Sequence, residues 1–248
     1  MTASPILETK AVSRYFGKFQ ALNNVSVVFR AGELTAIIGP NGAGKSTFFN
    51  VISGGIPPST GQVLFEGRDI TGLAPHEFAR TGIAKSFQIT NVFKQLSAHE
   101  NVRVALQMRA TRFQILRPRQ DYVELIERAD VLLARVGLAD SRNKLAGDLA
   151  HGQQRSLEVA MALACDPKLL LMDEPTAGMS PQETTIMMDL ILQLSAERTV
   201  ILVEHKMKMV MGLCKRLIVL HHGELLADGN PEEIRANTEV KRVYLGQN

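Results

Sequence analysis

The apolar positions of this chain fall into short runs separated by stretches with a helical period. Residues 6–12 and 21–29 alternate apolar and polar side chains and predict an antiparallel lobe, joined through residues 14–18. Residues 34–38 are almost entirely apolar and predict a buried strand. Phe48, Phe49 and Ile52 share one helical face, so residues 46–52 predict a helix, ended by Gly54-Gly55-Ile56-Pro57-Pro58. Further strands are predicted at 61–66, 83–87, 168–172 and 199–203, with a hairpin of 217–220 and 224–227 around His222-Gly223. Helices are predicted at 75–80, at 99–137 with a break at Arg117-Pro118, at 153–164 and at 181–194, with two short ones within 231–245.

Strands that alternate with helices argue for a mostly parallel sheet. The helical stretch between them argues for an insertion. The expected fold class is α/β: a mostly parallel core with an N-terminal antiparallel β lobe and an inserted α-helical subdomain. All of it forms one domain over residues 1–248, with core and lobe at about 1–89 and 166–248 and the helical part at about 90–165.

Composition narrows the function classes. A 45% hydrophobic content supplies a sizeable core, and a net charge of +3 is too small to argue for a nucleic-acid partner. Cys165 and Cys214 are far apart and lack metal-ligand spacing, so they read as small core residues in a reducing compartment. The N-terminus shows no basic stretch followed by an apolar one, so no signal peptide is expected. No apolar run approaches the roughly 20 residues of a membrane helix, so any membrane link is expected through a partner.

The chemistry centres on Gly39-Pro40-Asn41-Gly42-Ala43-Gly44-Lys45-Ser46-Thr47, which fits a phosphate-binding loop between a strand and a helix. Gly39, Gly42 and Gly44 let backbone N–H groups approach a phosphate closely, and Asn41 lies in the same loop. The helix start adds its positive dipole end. Lys45 would reach the β- and γ-phosphates, Ser46 is placed for Mg²⁺, and Thr47 would face the α-phosphate. A second apolar strand ends in Asp173 and Glu174, at the strand end where open α/β sheets bind ligands. Asp173 would hold Mg²⁺, and Glu174 would accept a proton from an attacking water or orient it.

Three weaker signals follow. Gln88 and His205 each come just after a predicted strand: the amide could contact Mg²⁺ and water, the imidazole the γ-phosphate. Leu149-Ala150-His151-Gly152-Gln153-Gln154-Arg155 opens a helix, and free N–H groups beside Gly152 form a second anion site. Such a site is useful if it closes the phosphate loop of another copy. Phe16 or Tyr15 could stack on adenine. Singly, each has a plainer reading: a glycine turn, a solvated acidic strand end, a surface amide, a strand-end histidine, an ordinary helix start, a half-buried aromatic. Their co-occurrence with the loop favours phosphate chemistry.

In this order and spacing the motifs resemble the ATP-binding subunit of ABC transporters, across essentially the whole chain. The loop matches Walker A of a P-loop NTPase, residues 169–173 match Walker B with Glu174 following, and Gln88 matches the Q-loop glutamine. Ala177-Gly178-Met179-Ser180 falls on the D-loop, His205 on the switch histidine, and Phe16 on the adenine-stacking aromatic. Residues 149–153, including Ala150, Gly152 and Gln153, occupy the signature usually written LSGGQ. Ala150 replaces its serine and His151 its first glycine, and the D-loop departs from its common SALD form.

Finer features resemble the branch for branched-chain amino acid uptake, with urea and short-amide importers close by: Gly-Gln-Gln-Arg after the signature, Ala-Gly-Met-Ser-Pro in the D-loop, and the ending Val-Tyr-Leu-Gly. The resemblance implies ATP and Mg²⁺, hydrolysis coupled to transport by ATP-gated dimer closure, and a second, identical or different, ATP-binding subunit. It also implies two transmembrane permease subunits docking near residues 89–96, an external solute-binding protein engaged indirectly, and a peripheral place on the cytoplasmic face of the membrane. The segment 109–119, with Arg112, Arg117 and Arg119 among Phe113, Ile115 and Leu116, reads as a solvated loop or a contact with headgroups or a partner. The contrasting readings are a soluble ATPase of the same superfamily and a regulatory module without hydrolysis, the latter opposed by Glu174 and His205.

Overall fold

The computed structural model describes residues 4–86, 92–110, 123–205 and 207–245. Gln88, residues 89–91 of the expected docking segment and residues 111–119 of the arginine-bearing segment lie outside them. The chain divides into two compact units. The first comprises residues 1–85, 168–174 and 191–248, the second residues 86–167 and 175–190. Residues 175–190, placed with the core by the sequence reading, group with the helical unit.

The first unit holds two sheets. Strands β1 (Pro5–Phe16), β2 (Phe19–Arg30), β4 (Thr60–Phe65) and β5 (Arg68–Asp69) form an antiparallel sheet in the order β2-β1-β4-β5. The two long strands run further than their alternation predicts. They pair out to Phe16 opposite Phe19, leaving only Gly17 and Lys18 in the turn. Cross-strand pairing supports residues 14–16 where apolar alternation does not. The second sheet carries β3 (Leu34–Ile38), β6 (Ile83–Ser86), β7 (Leu169–Asp173), β8 (Thr199–Val203), β9 (Arg216–His221) and β10 (Glu224–Gly229), in the order β10-β9-β3-β8-β7-β6. β3 lies parallel to β8 and β9, and β7 parallel to β8, while β9 and β10 form an antiparallel hairpin.

Helix α1 (Lys45–Ile52) is the next element after β3. Its Phe48, Phe49 and Ile52 are fully buried with alternate residues of the parallel strands (Ile37, Leu171, Ile201, Ile218) and with Leu7, Leu22 and Val25 of the lobe. Each such side chain contributes about 1.5–3 kcal/mol on burial, which fixes the helix start over the end of β3. Short helices α2 (Pro75–Phe78), α7 (Met207–Leu213), α8 (Pro231–Ala236) and α9 (Thr238–Leu245) complete this unit. α7 was not anticipated; a helix of so few residues gives little periodic signal.

The helical unit is built on α3 (Ala98–Ala110), α4 (Val123–Arg135) and α5 (His151–Ala164), which contact one another pairwise. Asn101 is completely buried in it. Its amide accepts from the Phe93 N–H at 2.8 Å and donates to the Phe93 and Ser97 carbonyls at 3.1 and 2.9 Å, anchoring the chain before α3. Helix α6 (Pro181–Ser195) begins in this unit and ends in the first.

Candidate functional site

β3 ends at Ile38 and α1 starts at Lys45, so six residues make the reversal. Gly44 must be glycine on two counts. Its φ is +96°, and an added Cβ would sit 2.8 Å from the Ala21 carbonyl oxygen and 3.2 Å from Gly223 Cα, both unyielding backbone. The β9–β10 turn is pinned to the loop by the Gly223 N–H donating to Ala43 O at 3.0 Å, and to β2 by the Asn23 N–H donating to Gly223 O at 2.8 Å. The loop is thus held from behind.

In front of it lies a cavity of about 490 Å³, lined by residues 41–47, by Glu174, by Phe19, Gln20 and Ala21, and by His222 and Gly223. Asn41, Gly42, Gly44, Lys45, Ser46 and Thr47 are therefore brought together, and Glu174 joins them from β7. Gly39 packs against the Leu220 carbonyl at the base of the loop. Lys45 is buried, and its Nζ donates to the carbonyls of Gly39 and Pro40 at 2.8 and 2.9 Å. Burial lowers its pKa, opposed by the nearby negative charges of Glu174 and Asp173.

Asp173 is the last residue of β7 and is buried. Glu174 follows with a left-handed φ of 45°, unusual for a residue with a side chain, while its N–H donates to Val203 O at 2.9 Å. That bond continues the β7–β8 ladder one residue past the strand, and the φ turns the carboxylate out toward the cavity. His205, just beyond β8, brings Nδ1 to 3.6 Å from Glu174 Oε1. The His205 backbone N–H donates to the carboxylate of Glu204, a buried neighbour, at 3.1 Å.

The aromatic wall differs from the sequence expectation in detail. Phe19 lines the cavity; Phe16, its cross-strand partner, is exposed with the Arg14 guanidinium 4.8 Å above its ring. Phe19, Gln20 and His222 escaped the sequence reading, because no local pattern marks residues brought in by a hairpin turn. Lys85 is not among the residues that line the cavity. Its Nζ donates to Asn50 Oδ1 at 2.8 Å and lies 4.9 Å from the Phe49 ring centroid, with the charge of Asp173 opposing the lowering of its pKa by burial.

Ala150, Gly152 and Gln153 lie in the helical unit at the start of α5, with Ala150 as the N-cap. The oxygen donors Ser46 and Asp173 suit Mg²⁺, a hard cation that takes oxygen ligands and keeps part of its water. Among the described residues no cluster of three or more His, Cys, Asp or Glu offers a metal site.

Comparison with known proteins decides what this geometry belongs to. The family described as "ABC transporter" matches residues 22–177, and that described as "Branched-chain amino acid ATP-binding cassette transporter" matches residues 224–248. The chain belongs to the ABC transporter family. A high-affinity branched-chain amino acid transport ATP-binding protein of Salmonella typhimurium is 39% identical over 253 residues, covering 99% of both chains. The ADP conformation of an ATP-binding cassette of an ABC transporter superposes with a TM-score of 0.86 at 31% identity, over 98% of this chain and 100% of that one. A dimeric bacterial ABC transporter cassette gives a TM-score of 0.79 at 28% identity, over 91% and 99%.

The cassette is therefore a nucleotide-binding ATPase of this family. Among the described residues no helix is long and apolar enough to cross a membrane.

Proposed function

We propose that this cassette hydrolyses ATP to drive uptake of branched-chain amino acids, with two cassettes closing on the nucleotides between them. The observation that carries the reading is the meeting of Lys45, Glu174 and the residues of the phosphate loop at one end of the parallel sheet. The substrate class draws support from the named relative and from the family match over residues 224–248.

In this reading the N–H groups of residues 41–47 and the Lys45 ammonium hold the β- and γ-phosphates, and Thr47 faces the α-phosphate. Phe16 and Phe19 offer faces for the adenine. Ser46, Asp173 and Gln88 would hold Mg²⁺, which would offset the phosphate charge. Glu174 takes a proton from the attacking water or aligns it, and His205 steadies the γ-phosphate. The start of α5, with Ala150, Gly152 and Gln153, meets the γ-phosphate held by the other cassette. Those contacts exist only with ATP bound, so they favour the closed state, and hydrolysis removes them.

The partners are a second ATP-binding subunit, identical or not, and two permease subunits contacted near residues 89–96. They hold the cassette peripherally on the cytoplasmic face of the membrane and couple it to an external solute-binding protein. The helical unit, taken as residues 90–165 or with 175–190 added, is the part that contacts the permeases.

A detergent pull-down of tagged protein from its native membranes, with mass spectrometry, tests this. Two multi-span proteins and a second ATPase are expected. Recovery of ribosomes or nucleic acid without membrane proteins overturns it in favour of a soluble ATPase.

A further inference from the structure

Helix α5 starts without a side-chain cap of its own. Its N-cap is Ala150, whose methyl group accepts no hydrogen bond. The cap comes from another element of the same unit. The Gly152 N–H, one of the donors a helix start leaves unpaired, donates to Glu183 Oε1 at 3.2 Å. The second oxygen of Glu183 accepts the Ser180 N–H at 2.9 Å, and the Glu183 N–H donates back to Ser180 Oγ at 3.3 Å. Beside this, His151 Nε2 lies 3.2 Å from the Ala177 carbonyl oxygen, and a Cβ on Gly178 would come within 3.1 Å of the same ring nitrogen. The two places where the chain departs from its family pattern, residues 150–151 and residues 177–180, are therefore packed on each other. The Ser180 hydrogen bonds foremost, with Gly152 and the field of His151, hold the Glu183 carboxyl below the usual carboxylate range.

We infer that Glu183 is an internal stand-in for the γ-phosphate: its carboxylate takes the Gly152 N–H in the unpaired cassette and yields it when the nucleotide of a partner cassette arrives. This rests on the proposed reading that the start of α5 meets that γ-phosphate. One N–H serves one strong acceptor, and two anions side by side repel, so the carboxylate must leave. Its departure subtracts from the affinity for ATP. ADP has no γ-phosphate to compete, so its affinity is untouched. Residue 183 thereby sets how much ATP is needed to close the pair.

The test uses the intact transporter purified with its membrane subunits, comparing wild type, Glu183→Gln and Ala150→Ser. The amide of Glu183→Gln keeps one oxygen, enough for one of the two N–H groups, and loses the charge. Half-saturating ATP is expected to fall about three- to tenfold, while inhibition by ADP stays within about twofold. Retained ADP inhibition also shows that the variant is folded. Unchanged or raised half-saturating ATP, or ATP and ADP shifting together, overturns the inference. Ala150→Ser adds a hydroxyl facing the γ-phosphate and is expected to lower half-saturating ATP on its own. If it does and Glu183→Gln does nothing, the role of Glu183 alone falls. If Ala150→Ser has no effect, the shared-site reading falls and takes this inference with it.

Discussion

His205 Nδ1 stands 3.6 Å from Glu174 Oε1, each just beyond the end of one of two neighbouring parallel strands whose last residues, Asp173 and Val203, pair in register. The pairing fixes how far each chain end projects, so the carboxylate and the imidazole reach the same space. This placement suits a water-activating group and a phosphate-steadying group acting together.

Removing the proton acceptor separates binding from chemistry. Glu174→Gln is expected to bind ATP as the parent does and to hydrolyse it on the order of 10²–10⁴-fold more slowly, accumulating an ATP-bound dimer. Phosphate release and gel filtration in ATP check both halves. An unchanged rate removes Glu174 from the chemistry.

Lys45 tests the phosphate contacts. Its ammonium already has two carbonyl acceptors in the loop, and a polyphosphate is a stronger acceptor. Lys45→Ala is expected to weaken ATP binding on the order of 10–100-fold by titration calorimetry. Because burial lowers its pKa, nucleotide affinity in the parent should fall at a lower alkaline pH than an ordinary lysine would dictate.

Two glycines of the loop should respond differently. Gly44→Ala pushes a Cβ into the Ala21 carbonyl at a φ of +96° and is expected to cost about 1–3 kcal/mol, lowering the melting temperature and nucleotide affinity together. Gly42 has a φ of +78° but open space around it, so Gly42→Ala should cost only about 1 kcal/mol. Equal losses by thermal denaturation would contradict the packing described.

The two thiols should differ in reactivity. Burial, aided by the charge of Glu204, pushes Cys214 up to about 12, while Cys165 is exposed. A maleimide at pH 8 should label Cys165 quickly and Cys214 only on unfolding. The unfolded Cys214 thiol ionises near 9.0 while the folded one keeps its proton to about 12, so stability should fall with rising pH across that window.

Most of the architecture was legible because it rests on local signals. The buried runs at 34–38 and 199–203 became β3 and β8 with the same bounds. The His222-Gly223 turn was found because positive φ at both residues, +49° and +78°, favours such residue types. The lengths of β1 and β2 were not legible. Cross-strand pairing extends them, and alternation within one strand carries no record of it.

The sequence by itself determined the phosphate loop, the acidic strand end and the alternation of strands and helices. Each depends on which φ values, charges and apolar faces a residue brings to its neighbours. Tertiary structure decided which distant residues share a wall. Phe19 and His222 meet at the cavity because β9 lies beside β3 and the tip of its hairpin is hydrogen-bonded to the loop. Glu183 caps a helix that begins 32 positions earlier, at His151, because α5 and α6 start side by side. Such contacts belong to the order in which elements pack, and a pattern read along one chain has no term for that order.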